Sequence, residues 1–550
     1  MVQFLGLEIE PIIGLEIHVQ LATRTKMWCA CPLEFGAEPN TRVCPTCLGL
    51  PGALPVMNRQ AVELAVKAAL ALGCRIATFT KWDRKGYYYP DLPKNYQISQ
   101  YDLPLADSGL FEFRFSERIT RVRIIRAHLE EDAGKNVHDF PGFTGVDLNR
   151  AGTPLLEIVT APDLHSAEEA RDFARELQRL VSYLGVSEAN MQKGQMRFEP
   201  NINLRITKEG REYRTPIVEV KNLNSFRSVH LAIQYEIRRQ AEEWLETGVV
   251  AATGNKSNRG WDDEREITVP QREKEEAHDY RYFPDPDLVP VTTDSRWVAQ
   301  LKDQMPELPA CRTERLISEY KVPARDAPAL VDDRASADLL DEAAALCGEK
   351  VAVAKHFMSF WAKLANERQT SISQLGVPAA CMAELTRLQC DGVINASAAA
   401  QIAEHMAQAV WPVEEGAEER RGEGAEEGRG KEEEGDGLVG KRAAGELAAP
   451  IRPQGGRACP SPRALAEQLG LIQSQDTGQI AAWVDAAFAR PENQKAIQDA
   501  IANRNPKKLQ AARGFLLGQV MKISGGKADP KIVGGLVDER LAALAGEAGG

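Results

Sequence analysis

The chain has 550 residues, 43% hydrophobic and 27% charged, with a formal net charge of −12. That balance fits a globular protein of several domains and leaves no global basic field for nucleic acid, so any such binding must rest on local patches. No apolar run reaches the length of a membrane span, and the first eleven residues lack a basic stretch; neither a secretory signal nor a transit peptide is expected, which points to the cytoplasm.

In chain order, residues 13–20 alternate apolar with glycine or polar and read as a strand carrying Glu16 and His18 on one face. Cys29 and Cys31 form one close pair; after twelve intervening residues Cys44 and Cys47 form another. Four thiolates so spaced can close a tetrahedral zinc site with no open position, a structural site, although redox cysteines share such spacing. The other six of the ten cysteines are scattered and read as small buried apolar residues. Asn58 is a good N-cap for a helix that ends at Gly73. The stretch from Lys81 to Gln97 interleaves Tyr with Lys and Arg among Pro and Gly and is expected to be a loop. Its tyrosines suit stacking on a base, and would equally anchor a loop to the core.

The alternating run Thr120 to Ile124 leads into His128-Leu129-Glu130-Glu131-Asp132, a strand end rich in carboxylates. Asn149, Gly152 and Pro154 punctuate a turn, and Leu155 to Val159 reads as a short strand containing Glu157. A carboxylate inside an apolar run is costly to bury alone, so Glu157 either faces a polar cavity or meets a charge, a structural ion pair included. Three carboxylates and an imidazole from separate segments suit magnesium better than zinc.

Ser166 and Glu169 form a capping box for a helix to Leu184. Met196 to Ile206 alternates throughout, with Arg197, Glu199, Asn201, Asn203 and Arg205 on one face. Residues 217–227 form another strand ending in polar groups, and a long helix runs from about Val229 to Thr247. An exposed loop or hairpin is expected at 249–266. From about Val298, Ala, Leu, Glu and Arg recur at helical spacing. Residues 414–437 hold 11 acidic and four basic residues in a low-complexity tract that cannot bury enough apolar surface to fold alone. Short amphipathic helices return from Ala464 to Ala545. There is no G-x-x-x-x-G-K-[ST] phosphate loop, and no amidase-type Ser-Ser-Lys arrangement.

The motifs V-D-L-N-R-A-G-T-P-L-L-E-I at 146–158, I-G-L-E-I-H at 13–18, E-E-D-A-G-K at 130–135, K-N-L-N-S-F at 221–226, D-Y-R-Y-F-P at 279–284 and G-F-L-L-G-Q-V-M-K at 514–522 resemble the B subunits of tRNA-dependent amidotransferases. The resemblance covers nearly the whole chain apart from the tract near 413–460. It implies an α+β chain: an N-terminal mixed α/β cradle, kinase-like but not P-loop, over 1–295 with a zinc knuckle at 29–47; an all-helical domain over 296–412; a linker or insertion over 413–460; and a tRNA-contacting helical tail over 461–550. It further implies a two-step reaction. ATP phosphorylates the side-chain carboxylate of misacylated Glu-tRNA(Gln) or Asp-tRNA(Asn), and ammonia from an amidase A subunit displaces phosphate, with a small C subunit clamping A to B. The family's magnesium ligands fall on Glu16, His18, Glu131 and Glu157, and structural zinc on Cys29, Cys31, Cys44 and Cys47. Phosphoryl transfer needs positioning and charge neutralisation. Arg150, Lys94 and Lys221 are therefore expected to neutralise the transferring phosphate, and Tyr87, Tyr89, Arg197, Asn201 and Asn203 to line the nucleotide or acceptor-end cavity.

Overall fold

The computed structural model describes all residues except 1, 5, 117, 139, 253–254, 272–279, 411–458, 503–505 and 549–550. The expected tract at 413–460 therefore lies outside the described residues apart from Cys459 and Pro460. The chain is mixed α/β, with a large sheet in its N-terminal unit, Met1–Glu314, and helices among the described residues of the other, Arg315–Gly550. The division falls later than the expected 295/296 because the helix Ser295–Asp303 belongs to the first unit, where Leu301 and Trp297 join the core beneath the sheet.

The elements that matter for the site are β1 (Leu7–Gln20), α1 (Arg59–Ala71), β2 (Arg75–Ile76), β3 (Asp83–Gly86), β4 (Tyr96–Ser99), β5 (Ala106–Phe115), β6 (Arg118–Glu131), β7 (Pro154–Thr160), α2 (Ala167–Tyr183), β8 (Met196–Lys208), β9 (Val218–Lys221), α3 (Phe226–Thr247), β10 (Ser257–Asp262) and β11 (Ile267–Pro270). The main sheet runs β11-β10-β9-β8-β1-β7-β6-β5-β2, antiparallel except for the β9–β10 pair. Alternation decides its two faces. Leu15, Ile17 and Val19 of β1, Leu156 and Ile158 of β7, Val122 and Leu129 of β6, and Phe198 and Ile202 of β8 point into one core. That core is closed by Ala65 and Ala69 of α1, Phe173 and Leu177 of α2, and Val229 and Ile233 of α3. The opposite face carries Glu16 and His18 of β1, Glu157 of β7 and Arg197, Glu199, Asn201, Asn203 and Arg205 of β8.

One irregularity resets that alternation. Val159 pairs with Arg126 but Thr160 pairs with Ile124, so Ile125 is an extra residue opposite β7. Before this bulge the even-numbered Thr120, Val122 and Ile124 are buried; after it the odd-numbered Ala127 and Leu129 are. The expected loop at 81–97 is partly sheet: β3 and β4 pair, with Trp82 buried beside them against Trp28. The expected loop or hairpin at 249–266 includes β10, which returns as β11. In the second unit the expected helices form, one of them with a π-turn at Phe357–Trp361 whose two end residues are core. The tail has its own core of Ile480, Val484, Leu516, Val520, Val533 and Val537.

Asn58 caps α1, its Oδ1 accepting from Gln60 N (2.9 Å) while its Nδ2 donates to Thr25 O (3.1 Å). Asn58→Ala removes both sets of bonds and should lower the stability of this unit by about 1–2 kcal/mol. The check is urea unfolding followed by the fluorescence of the Trp28–Trp82 pair; an unchanged midpoint would show that the cap carries no stability.

Candidate functional site

The open face of the main sheet sets its side chains in rows across the strands. One row is His128 (β6), Glu157 (β7), His18 (β1) and Arg197 (β8); the next contains Glu16 and Glu199. Three carboxylates converge on one imidazole. His18 Nε2 lies 3.5 Å from Glu157 Oε2, 3.5 Å from Glu130 Oε1 and 3.8 Å from Glu16 Oε1. His128 Nε2 approaches Glu157 Oε2 at 3.6 Å, and its buried Nδ1 has no hydrogen-bond partner among the described residues. Two sets of ligand atoms, Glu16/His18/Glu157 and His128/Glu130/Glu157, each lie within 4.8 Å of one another.

Cations border the cluster. Arg126 reaches Glu157 at 3.8 Å, and half-buried Lys85 of β3 sits in the field of Glu130 and Glu157 with its ammonium 4.9 Å from the Tyr280 ring centre. Arg197 donates to Asp132 at 2.6 Å, Gln20 reaches the same oxygen at 2.9 Å, and Lys221 pairs with Glu199 and with Glu219 at 3.1 Å.

Three expected residues lie elsewhere or are otherwise engaged. Glu131, expected among the ligands, is on the opposite side of β6 because the bulge inverts the parity; Glu130 takes the place on the open face. Glu131 instead pairs with Lys94 and accepts from Ile98 N at 2.9 Å. Arg150 donates to the carbonyls of Ala133 (2.9 Å) and Gly134 (2.6 Å), so it holds a turn beside the cluster. Lys94 and Glu131 line a cavity of about 200 Å³ behind the sheet, together with Lys26, Arg84 and Cys47. Asn201 and Asn203 do share the open face with Arg197, but opposite Gly14 and Ile12, farther along β1 than the carboxylates. Tyr87 and Tyr89 are exposed, their rings 5.9 Å apart. Sequence pattern alone does not single out His128, Glu130, Lys85 or Asp132.

Cys29, Cys31, Cys44 and Cys47 each offer a sulfur within 4.8 Å of the others. Sulfurs on one tetrahedral zinc stand about 3.8 Å apart for bonds of about 2.3 Å, so the group fits. The approach around it is close: a Cβ on Gly49 (φ +67) would meet Lys94 Cγ at 2.5 Å.

The catalytic domain described as GatB/GatE matches residues 11–299, and a second domain, described as the GatB domain, matches residues 456–541. Three curated relatives are each named as the B subunit of aspartyl/glutamyl-tRNA(Asn/Gln) amidotransferase. That of Moorella thermoacetica is 41% identical over 97% of this chain and 100% of its own length. That of Rhodopirellula baltica is 48% identical over 72% and 81%, and that of Carboxydothermus hydrogenoformans 39% identical over 98% and 100%. The chain belongs to this family of amidotransferase B subunits. The matched catalytic domain contains both the carboxylate cluster and the four cysteines.

The carboxylates and imidazoles of the cluster shift one another's protonation. Burial, together with the charge of Glu157, pushes Glu130 up to about 7. Burial works against a charge on His18, but its bond to Glu157 and the fields of Glu130 and Glu157 raise it to about 9. Burial lowers His128 to about 4 despite Glu157. Glu157 stays well below the usual carboxylate range although burial opposes ionisation. Both histidines favour that charge; since burial keeps His128 neutral, protonated His18 is the cation that matters. Oxygen ligands with imidazole, gathered where one carboxylate is already forced toward protonation, fit a divalent cation such as magnesium.

Such a cation must displace the proton of His18, and below about pH 7 that of Glu130 as well. Apparent magnesium affinity should therefore rise with pH, by roughly tenfold or more between about pH 6.5 and 8.5. Calorimetric titration with magnesium alone reads this; an affinity flat in pH would leave the cluster a proton-sharing ion-pair network.

Proposed function

We propose that the open sheet face is where ATP phosphorylates the side-chain carboxylate of Glu-tRNA(Gln) or Asp-tRNA(Asn), and where ammonia then converts it to the amide of Gln-tRNA(Gln) or Asn-tRNA(Asn). The observation that carries this reading is the convergence of Glu16, Glu130 and Glu157 on His18. A phosphoryl donor and a carboxylate both carry negative charge and repel as they approach, and a site for that reaction must gather positive charge between them. Magnesium, when held by Glu16, His18, Glu130 and Glu157, would supply that charge and clamp phosphate oxygens; His128 lies in reach of the same place.

The chain's own residues do the rest. Lys85, whose ammonium the Glu130 and Glu157 charges keep protonated in spite of burial, faces the cluster from β3 and can meet the transferring phosphoryl oxygens. Arg197 is fixed by Asp132 and Lys221 by Glu199, so both present cationic edges at set positions on the face. Asn201 and Asn203 offer amide donors and acceptors farther along β8, where a ribose or base would lie. Tyr87 and Tyr89 stand exposed for stacking. In the first step a substrate carboxylate oxygen bonds to the γ-phosphorus as the bond to the ADP oxygen breaks. In the second, ammonia attacks the acyl carbon and phosphate leaves. The family resemblance assigns release of ammonia from glutamine to an amidase A subunit, with a small C subunit completing a heterotrimer. The cradle is kinase-like in its chemistry without a P-loop.

Glu157→Gln keeps size and removes a charge from a buried site. In the assembled enzyme it should lower phosphate release dependent on Glu-tRNA by more than about 100-fold, while basal glutamine hydrolysis by the partner persists. Near-normal rates for both Glu16→Gln and Glu157→Gln at saturating magnesium would place the phosphoryl-transfer site elsewhere.

The tail, with its separate core, is proposed to hold tRNA without entering the chemistry. Its removal from Pro462 onward should raise the KM for charged tRNA several-fold and flatten the salt dependence of binding, with kcat little changed. An unaltered KM and salt slope would assign the tail another role.

A further inference from the structure

Lys26 has no exposed surface at all, and it is one of the largest fully buried side chains in the protein. A buried ammonium needs a counter-charge, yet among the described residues it forms no ion pair with a carboxylate. Its Nζ lies 3.6 Å from Cys47 Sγ and donates to Leu148 O at 3.2 Å. Zinc held by four thiolates keeps a net negative charge, and an ammonium against one sulfur balances it within the protein interior.

The same knuckle is bonded along the turn that Leu148 opens. Asn40 Nδ2 donates to Val146 O and its Oδ1 accepts from Leu148 N, each at 2.9 Å. Arg42 N donates to Asn149 Oδ1 at 2.8 Å, and Asn149 Nδ2 donates to Glu38 O at 2.7 Å. Met27 N donates to Gly152 O at 2.7 Å. Gly152 adopts φ +84°, and a Cβ there would lie 3.5 Å from Lys26 Cδ. This turn bonds to Asp132, whose carboxylate fixes Arg197, and it runs directly into β7 and Glu157.

We propose that Lys26 is the counter-cation of the four-cysteine metal centre and the strut through which that centre positions the turn Leu148–Thr153 at the edge of the open sheet face. The effect on catalysis rests on the reading of that face as the phosphoryl-transfer site; the effects on metal binding and on the turn do not. Lys26 is a positioning residue, since it touches the centre and the turn and not the reacting atoms.

The test uses the full-length chain loaded with zinc, about one per chain, and the variants Lys26→Met and Lys26→Arg. Transfer of zinc to a colorimetric pyridylazo chelator should be at least about tenfold easier from Lys26→Met, with Lys26→Arg within about threefold of the unaltered chain. In cobalt-substituted protein, Lys26→Met should shift the sulfur-to-metal charge-transfer band to lower energy, because Cys47 loses its positive neighbour. Hydrogen exchange at the amides of Leu148 to Thr153 should accelerate at least about tenfold both in Lys26→Met and in the unaltered chain stripped of zinc. In the assembled enzyme, kcat for phosphate release should fall with the KM for charged tRNA unchanged. Failure of that last result alone, with the metal and exchange results as expected, would count against the phosphoryl-transfer reading and leave the strut standing. Zinc release unaffected by Lys26→Met overturns the counter-cation. Unchanged exchange in the turn after zinc removal overturns the strut, and this measurement decides even if Lys26→Met fails to fold. A chain that takes up no zinc overturns both.

Discussion

Repulsion among Glu16, Glu130 and Glu157 is the constraint that the N-terminal unit must satisfy. Each is delivered by a different strand, and the strands are neighbours, so the backbone ladder holds the carboxylates together against their charge. The cost is bearable because the other face of the same strands is a continuous apolar core under three helices. Counter-charge then comes in layers: protonated His18 at the centre, Lys85 and Arg126 beside it, and Arg197 and Lys221 farther out, each of these two tethered to its own carboxylate. A cation bound at the centre would relieve the same strain that keeps His18 protonated.

How much of this was legible depended on whether local pattern survived into tertiary structure. Glu16 and His18 follow from strict alternation along β1, and Glu157 from the oddity of a carboxylate in an apolar strand. The four cysteines follow from spacing alone. The open face of β8 also follows from alternation, because that strand pairs with β1 over twelve residues without a break. Glu130 did not follow. Parity carried from the buried run at Thr120, Val122 and Ile124 sends Glu131 to the open face, and only the bulge opposite β7 sends Glu130 there instead. Lys85 was hidden for a different reason: its Pro- and Gly-rich surroundings read as loop, while cross-strand pairing of β3 with β4 and burial of Trp82 make it sheet. Arg150 shows a third limit, since nothing in its own segment tells that its guanidinium is committed to the carbonyls of Ala133 and Gly134.

The two sides of β6 serve different ends through adjacent residues. Glu130 looks toward the cluster, and Glu131 looks into the cavity behind it, where it meets Lys94. The knuckle forms part of that cavity through Cys29, Cys47 and Gly49. Four-cysteine knuckle, cavity and open sheet face are therefore consecutive layers, and the turn at 148–153 touches all three. Two of its residues serve that junction: the Asn149 side-chain amide bonds the knuckle's backbone at Arg42 and Glu38, and Gly152 supplies the positive φ of +84° that the turn requires.

The bulge at Ile125 has a consequence for which mutations the strand can accept. Upstream of it, charged side chains are tolerated at odd positions, as at Arg121 and Arg123, and apolar ones are needed at even positions. Downstream the phase inverts: Ala127 and Leu129 must stay apolar, and even positions face the open side. The tolerance profile of this one strand thus contains a half-period slip. A single-residue deletion upstream of Ile125 would be felt as a swap of inside and outside, whereas removal of Ile125 itself would restore one unbroken alternation from Thr120 to the carboxylate doublet.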